Sequence, residues 1–211
     1  SCARVLQRHG GRVRVDRRPV KQALAAQALP YGGYAAPGQS TISAYQTFLG
    51  VLCVQMIGAE PPWTEAVRQI AGLQRPSGGF AECPGDAIPQ TNATAAAAAV
   101  LLMGNGLHHA DLAGTGRFLV ASQASDGGLR AHAEAPGGDL LSSFTGLLTL
   151  ALIGEPGRLD LPGLARFVRD SAHPYGGFGA MPGDPGADVE YTFYGIATVS
   201  LLRTLLDGAG R

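Results

Sequence analysis

A pair of glycines followed by a bulky apolar residue occurs four times along this chain. The first glycines of the pairs are Gly32, Gly78, Gly127 and Gly176, so the pairs are 46, 49 and 49 residues apart. Spacings of this length are typical of helical repeat proteins, in which each unit packs only against its neighbours. The sequence therefore predicts an array of similar units stacked along the chain.

A second repeated block begins 11 or 12 residues after the first glycine of each pair. It opens with a polar residue, has a hydroxyl side chain four positions later, and has a glycine or alanine three positions after that. Offsets of four and seven residues lie on one face of an α-helix, so each block predicts a helix whose small residue lets a neighbouring helix approach closely. The openers are Ser43, Gln90, Asp139 and Asp188, the hydroxyl residues are Thr47, Thr94, Ser143 and Thr192, and the small residues are Gly50, Ala97, Gly146 and Gly195.

An amphipathic stretch also precedes each glycine pair, for example TEAVRQIAGL at residues 64–73. Each repeat is therefore predicted to be a helix, a glycine-rich turn and a second helix, so the fold class is all-α with the turns on one rim. Glycine supplies the positive φ of a tight turn, and the residue after each pair is expected to anchor the turn on the core. These anchors are Tyr34, Phe80, Leu129 and Phe178.

Composition and charge agree with a globular protein of 211 residues, 45% of them hydrophobic. Basic and acidic residues balance at 16 each, so no net field favours nucleic acid. The cysteines Cys2, Cys53 and Cys83 lack metal-ligand spacing, so we expect free thiols in a reducing compartment, with Cys53 buried. No apolar run of about 18 residues and no signal peptide is recognisable, so the predicted location is cytoplasmic with no integral membrane segment.

Basic residues concentrate at the start of the chain, where seven of the first 21 residues are arginine or lysine. We interpret residues 1–19 as a basic N-terminal segment with a solvated face, in preference to a phosphate or anionic-lipid site. Residues 20–211 are predicted to form the repeat domain, with four repeats of about 48 residues.

The turn sequences carry a family resemblance. FLVASQASDGGL at 118–129 and QIAGLQRPSGGF at 69–80 resemble the glutamine-containing repeat of the prenyltransferase and squalene/terpene cyclase superfamily. FVRDSAHPYGGF at 167–178 follows the same frame, but Ala172 stands at the glutamine position. Ala28 stands at that position in the first repeat. The resemblance implies an α/α toroid whose inner helices surround an apolar cavity, with an isoprenoid or other apolar small molecule as ligand.

The motifs that carry chemistry in this superfamily are incomplete here. Protein prenyltransferase β subunits resemble the last two blocks, and Asp139 matches the first of their zinc ligands. Leu141 and Tyr191 stand at the cysteine and histidine positions, and leucine cannot ligate zinc, so we predict no metal and no cofactor. The Asp-rich proton donor of the cyclases corresponds to QTNATA at 90–95, whose amides cannot protonate a double bond.

Polar and aromatic residues near the starts of the inner helices are the remaining site candidates. Asp188 and Glu190 are either an acid pair in which repulsion raises one pKa, or a helix cap with first-turn charge. Arg130 is the candidate partner of a diphosphate. The predicted catalytic residues are Asp139, Asp188, Glu190 and Tyr191, and the predicted substrate-binding residues are Tyr45, Gln90, Asn92, Arg130, Phe144 and Tyr194.

Two functions follow from these observations. One is an isoprenoid-binding enzyme that performs prenyl transfer or cyclisation without zinc, and the other is a non-catalytic lipid-binding or protein-interaction scaffold. Members of the superfamily close their ring with more hairpins than the four predicted here. We therefore expect pairing with a second copy or another subunit, through CARVLQ at 2–7 and TVSLLRTLL at 198–206, or closure of a smaller ring.

Overall fold

The computed structural model of this protein describes residues 16–208. Within them lie eight α-helices, two short 3-10 helices and isolated β-bridges at the turns, so the all-α prediction is confirmed. No described helix is long and apolar enough to cross a membrane. The α-helices are α1 Arg17–Gln27, α2 Ala44–Met56, α3 Trp63–Ala71, α4 Thr91–Met103, α5 Leu112–Ala121, α6 Leu140–Leu152, α7 Leu161–Asp170 and α8 Val189–Gly208, and the 3-10 helices are Leu107–His109 and Pro156–Arg158.

The helices form two layers. The inner helices α2, α4, α6 and α8 pack side by side in chain order, and the outer helices α1, α3, α5 and α7 pack on them. Across residues 16–208, α8 makes no extensive contact with α2, so the four hairpins form an open arc and not a smaller closed ring. The domain boundary predicted at residue 20 falls inside α1, and residues 1–15 lie outside the described part.

Each glycine-rich turn is bonded to the start of its own inner helix. The hydroxyl of Thr94 accepts a hydrogen bond of 2.9 Å from the backbone N–H of Phe80, and Gln74 and Phe80 pair across the turn. Each turn is bonded to the N-terminal end of an inner helix, and the inner helices lie side by side. The four turns therefore follow the N-terminal ends of the inner layer. The same bond joins Tyr34 to Thr47 at 3.0 Å, Leu129 to Ser143 at 2.9 Å and Phe178 to Thr192 at 3.1 Å.

The column of small residues has a further role besides the predicted one. A Cβ on Gly50 would lie 2.4 Å from the ring of Tyr34, and one on Gly195 would lie 2.4 Å from the ring of Phe178. The small residue therefore makes room first for the anchor of its own turn, and at Gly146 also for the neighbouring helix, where a Cβ would lie 3.3 Å from Thr91 of α4. Tyr34 and Phe80 are buried, as their anchoring role requires.

Glutamine joins successive outer helices end to end. The Gln74 amide donates to the carbonyl of Asp111 at 3.0 Å and accepts from the Asp111 N–H at 2.9 Å, at the N-terminus of α5. Gln123 makes the same pair of bonds to Asp160 at the start of α7, at 3.0 and 2.9 Å. The first glycine of each of the first three turns packs on the following outer helix too; a Cβ on Gly78, for example, would lie 2.1 Å from the backbone of Gly114.

A backbone hydrogen bond joins the start of each inner helix to the following repeat. The N–H of Ala44 donates to the carbonyl of Glu82, two residues after the anchor of the next turn, at 2.9 Å. Thr91 donates to Ala131 at 2.8 Å and Leu140 to Ala180 at 2.9 Å in the same register. Three junctions of one design therefore connect the four hairpins.

Two apolar clusters fill the space between the layers. One surrounds Ile70 and Phe80 in the first half of the arc, and the other surrounds Leu147 and Phe167 in the second half. Cys53 is only half-buried, which corrects the expectation of a buried thiol. Neither Cys53 nor Cys83 forms a disulfide, and Cys2 lies outside the described residues.

Candidate functional site

Four aromatic side chains gather where α6 and α8 meet. Phe144 lies with its ring centroid 5.8 Å from that of Phe193 and 5.9 Å from that of Tyr194. Phe193 and Tyr194 are 5.4 Å apart, and Tyr191 adds an edge contact to Tyr194 at 6.2 Å. We call these four residues the aromatic cluster. Phe193 is 59% exposed and the other three rings are half-buried, so the cluster is open to solvent on one side.

The phenol of Tyr194 is held neutral. Burial is the largest cause that raises its pKa to about 12, followed by the hydrogen bond that it donates to Glu190 at 3.1 Å. The phenol of Tyr45, from the far end of the inner layer, is close enough to raise it further. The arc therefore brings the beginnings of α2 and α8 towards the same region.

Tyr191 and Asp139 also face each other across the α6–α8 junction. Burial raises the pKa of Tyr191, and the carboxylate of Asp139 is the next largest cause. Tyr191 therefore cannot act as an anionic base near neutral pH, and Asp139 is the carboxyl group that it approaches from the neighbouring helix.

Asp139 caps α6 with both of its carboxylate oxygens. Oδ1 accepts from the backbone N–H of Ser142 and Oδ2 accepts from the Ser142 hydroxyl, each at 2.7 Å. Burial raises the pKa of Asp139, and these bonds partly oppose the rise. A half-buried carboxyl with a raised pKa is the side chain of this site most suited to carry a proton.

We expect Asp139→Asn to remove a pH-dependent loss of stability. Because the folded pKa of Asp139 lies above its ordinary value of 3.8, its contribution is fully present below that value and is lost as pH rises through the raised pKa. Asparagine keeps the cap without ionising, so its contribution does not change with pH. Urea unfolding of both proteins from pH 3 to 7 should therefore show the variant gaining stability relative to wild type, whereas parallel pH profiles would contradict the assignment.

The hydrogen bonds of Asp188 agree with the helix cap, one of the two interpretations that the sequence allows for Asp188 and Glu190. Oδ1 of Asp188 accepts from the backbone N–H of Tyr191 at 2.7 Å, so Asp188 caps α8. Oε1 of Glu190 accepts from the Tyr194 hydroxyl, and the two carboxyl groups share no hydrogen bond. Glu190 belongs to the site through Tyr194, while Asp188 supports the helix that carries the aromatic cluster.

The other predicted substrate-binding residues divide into two groups. Asn92 lies at the edge of the site, where its Oδ1 accepts from Thr145 of α6 at 2.8 Å. Gln90 pairs through its backbone with His132, and its side chain makes no capping bond. Among residues 16–208 the guanidinium of Arg130 makes no hydrogen bond or ion pair, and only its backbone is engaged, by the Thr91 hydroxyl at its carbonyl and by the Ser122 carbonyl at its N–H. Gln90 and Arg130 therefore do not join the aromatic cluster.

Three residues of the site were missed by sequence reasoning. Phe193 belongs to the aromatic cluster, Thr145 orients Asn92, and Ser142 binds both oxygens of Asp139. Thr145 lies one period of 49 residues before Tyr194, so the repeat register was the signal that identifies this column. Ser142 gave no signal, since a serine after a cap is common.

The site does not fit the zinc centre that the family resemblance implies. Asp139 and Tyr191 do lie near each other, but leucine and a phenol of raised pKa replace the thiolate and imidazole ligands. Within residues 16–208 no three histidine, cysteine or acidic side chains approach closely enough to share a metal ion. No zinc-dependent step is therefore assigned to this chain, and its independence of metal stays a prediction.

The fold and the repeat register together define the class of protein. The chain belongs to the prenyltransferase α/α toroid family, whose model matches residues 50–209. A comparison of the sequence with curated proteins finds no match.

Solved structures of the same fold include both branches of the superfamily. Protein geranylgeranyltransferase-I from Candida albicans complexed with GGPP superposes with a TM-score of 0.75 at 17% identity, covering 89% of this chain and 60% of its own. A variant of the type II terpene cyclase MstE from Scytonema, in complex with geranylgeranyl dihydroxybenzoate, gives 0.59 at 17% identity, covering 85% and 55%. The apo form of MstE gives 0.57 at 18% identity, covering 89% and 58%. The chain thus spans between 55% and 60% of the length of these neighbours.

Proposed function

We propose that this protein binds an isoprenoid, or a similar apolar chain, on the inner side of the arc, with the aromatic cluster as its recognition element. The observation that carries the proposal is the meeting of Phe144, Phe193 and two neutral tyrosines at one junction of the inner layer. Aromatic rings bury much apolar area and attract developing positive charge on their faces. The isoprenoid ligands of two solved neighbours support the same class of ligand.

Binding is the part of this function that the geometry supports best. The Asp139 carboxylate is engaged at both oxygens, Asp188 caps a helix, and Arg130 makes no contact with the cluster. The aromatic cluster itself contains no cationic side chain that could hold a diphosphate. A neutral isoprenoid, such as an alcohol or a hydrocarbon, therefore fits this site better than a diphosphate ester.

We expect Tyr194→Leu to weaken isoprenoid binding about tenfold, because it removes a ring that contacts Phe144, Tyr191 and Phe193 and is worth about 1.4 kcal/mol. The probe is a fluorescent analogue of geranylgeraniol, titrated and followed by anisotropy. Tyr175→Leu is the matched control, since Tyr175 is 95% exposed and lies on a turn. Equal affinity of the two variants would mean that the aromatic cluster does not bind the ligand. Absence of saturable binding to wild type would reject the proposal.

Acid-initiated cyclisation is the second candidate function, and it rests on the raised pKa of Asp139 beside Tyr191. In that reaction a carboxylic proton would add to a terminal double bond of a polyene, and a later loss of a proton from the cation would restore the balance. The product is an isomer of the substrate, which gains one deuteron when the reaction runs in D2O. If wild type forms a deuterated cyclic product and Asp139→Asn does not, this activity is established. If the polyene is recovered unchanged from wild type, cyclisation is rejected and only the binding function remains.

A further inference from the structure

The last inner helix has an exposed face that its three counterparts bury. Val189 is 89% exposed and Ile196 is 59% exposed. The residues at the position of Val189 in the earlier repeats are Ala44, Thr91 and Leu140, each 0% exposed. Those at the position of Ile196 are Val51, Ala98 and Leu147, at 0%, 6% and 0%. In each earlier repeat the next hairpin covers this face. The internal junctions therefore show that a hairpin of this same repeat fits the exposed face of α8.

Three further contacts of the junction lack their partner at the same edge. The N–H of Val189 has no acceptor among the described residues, whereas Ala44, Thr91 and Leu140 each donate to the next repeat. A Cβ on Gly176 would meet nothing within 4 Å, although its counterparts contact the next outer helix. Phe178 lines an open groove of about 390 Å³ with Ile196 and Val199. A further hairpin packed on this edge would cover the exposed face of α8. It would also complete the contacts of the Val189 N–H, of Gly176 in the turn and of the anchor Phe178.

These contacts extend the predicted association surface towards the start of α8. Leu201 and Leu205 pack on the second apolar cluster, whereas Val199 of the predicted segment lines the groove. Exposed apolar residues lie in the first half of α8, at Val189, Phe193 and Ile196, and also near its end, at Leu206. The predicted N-terminal contact at residues 2–7 lies outside the described part of the chain.

We propose that this edge of α8 is an interface for the first hairpin, residues 16–58, of a second copy of this chain. The first hairpin shares the capping aspartate that two of the three internal junctions have on their receiving side, and it has a small exposed residue at the position of their aromatic side chain. Asp16 caps α1 by accepting from Arg18, in the register at which Asp111 and Asp160 cap α5 and α7. Ala23 lies in the register of Phe118 and Phe167, which pack on the preceding turn, and Ala23 is exposed.

Charge complementarity favours this occupant. α1 carries Arg18 and Lys21 on its exposed surface, without an ion pair among residues 16–208. The edge that would receive it carries Asp184 and Asp188, while its Asp170 is paired with Arg169. The groove itself is lined by one residue of each charge, Arg203 and Asp207. The contact is head to tail, so each copy keeps one free edge unless the assembly closes, and the inner layer continues from one copy into the next. This proposal is independent of whether the site binds an isoprenoid.

The test is the mass of the full chain in solution, measured by light scattering over a range of concentrations. We expect wild type to form dimers or a longer series, and Ile196→Glu to be monomeric with unchanged circular dichroism. Leu152→Glu is the matched control, because Leu152 is an exposed apolar residue of α6 that lies away from this edge. It should associate as wild type does. A monomeric wild type, or an oligomer that Ile196→Glu leaves intact, would overturn the proposal.

Mixing variants tests the head-to-tail arrangement. Ala23→Glu blocks the receiving hairpin at an exposed helical position and should also be monomeric. An equimolar mixture of Ala23→Glu and Ile196→Glu still contains one intact edge of each kind, so we expect a one-to-one heterodimer that grows no further. A single variant that still forms dimers would show that like edges pair, and a mixture that stays monomeric would show that the two edges do not bind each other. Either result would reject the assignment of the first hairpin.

Discussion

Gly78→Ala is expected to lower the free energy of unfolding by about 3 to 5 kcal/mol, which is enough to unfold many domains of this size. Gly78 has φ +93°, a conformation that costs an alanine about 1 to 2 kcal/mol. A Cβ at this position would also lie 2.1 Å from the backbone carbon of Gly114 in α5, so the turn and the outer helix would have to separate. Backbone atoms cannot rotate away from such a clash, and overpacking adds further destabilisation.

Gly176→Ala is the control for this prediction, because it makes the same substitution in the same motif. Gly176 has φ +99°, but a Cβ there would meet nothing within 4 Å. Only the conformational cost of about 1 to 2 kcal/mol is expected. Urea unfolding of both variants, made in the Ile196→Glu chain so that association does not intervene, measures the difference. Equal losses would mean that the contact between the turn and the next outer helix contributes nothing.

Thr94→Val is expected to cost about 1 to 3 kcal/mol, although the two side chains have nearly the same shape. The hydroxyl of Thr94 is the acceptor for the N–H of Phe80 at 2.9 Å, and both residues are buried, Phe80 at 1% exposure. Valine would leave that donor without a partner in a place that water does not reach. Val has a helix propensity close to that of Thr, so the loss would come from the turn.

Thr204→Val is the matched control for the hydroxyl of Thr94. Thr204 is exposed and bonds only to the carbonyl of Ser200, one turn earlier in α8, at 3.0 Å. We expect a change within about 0.5 kcal/mol there. Hydrogen exchange of the Phe80 amide gives a second measurement, since loss of its acceptor should speed exchange locally. A Thr94→Val variant as stable as the control would mean that the hydroxyl column does not stabilise the turns.

The repeat period and the helical pattern were readable from the sequence because both depend on local spacing. Four glycine pairs and three columns of residues predicted the hairpins and their order correctly. The contacts of the small column were predicted only in part, because Gly50 and Gly146 have the spacing of a helix contact and the sequence does not say which side chain approaches most closely. Gly146 does face Thr91 of α4, but the anchors Tyr34 and Leu129 come closer to Gly50 and Gly146.

The site was harder to predict, since it depends on which inner helices meet. Tyr191, Tyr194 and Phe144 come together because α6 and α8 are neighbours in the arc, which the period implies. Arg130 was proposed as an anion partner from its position after a glycine pair, yet its side chain has no contact with the aromatic cluster. The direction of a long side chain from a loop is set by local packing, and no pattern in the sequence records it.

The glutamine bridges make the junctions of this array unequal. Gln74 and Gln123 hold α5 and α7 with paired amide bonds, but Ala28 occupies the same position before α3, where a single bond of 3.1 Å from Gln69 to the Tyr31 carbonyl remains. α1 has no fully buried residue. α2, in contrast, is joined to the second repeat by the bonds that Ser43, Ala44 and Tyr45 make to Glu82. In a linear array the weakest coupling determines where cooperativity breaks, so we expect α1 to open at a lower urea concentration than the rest of the array.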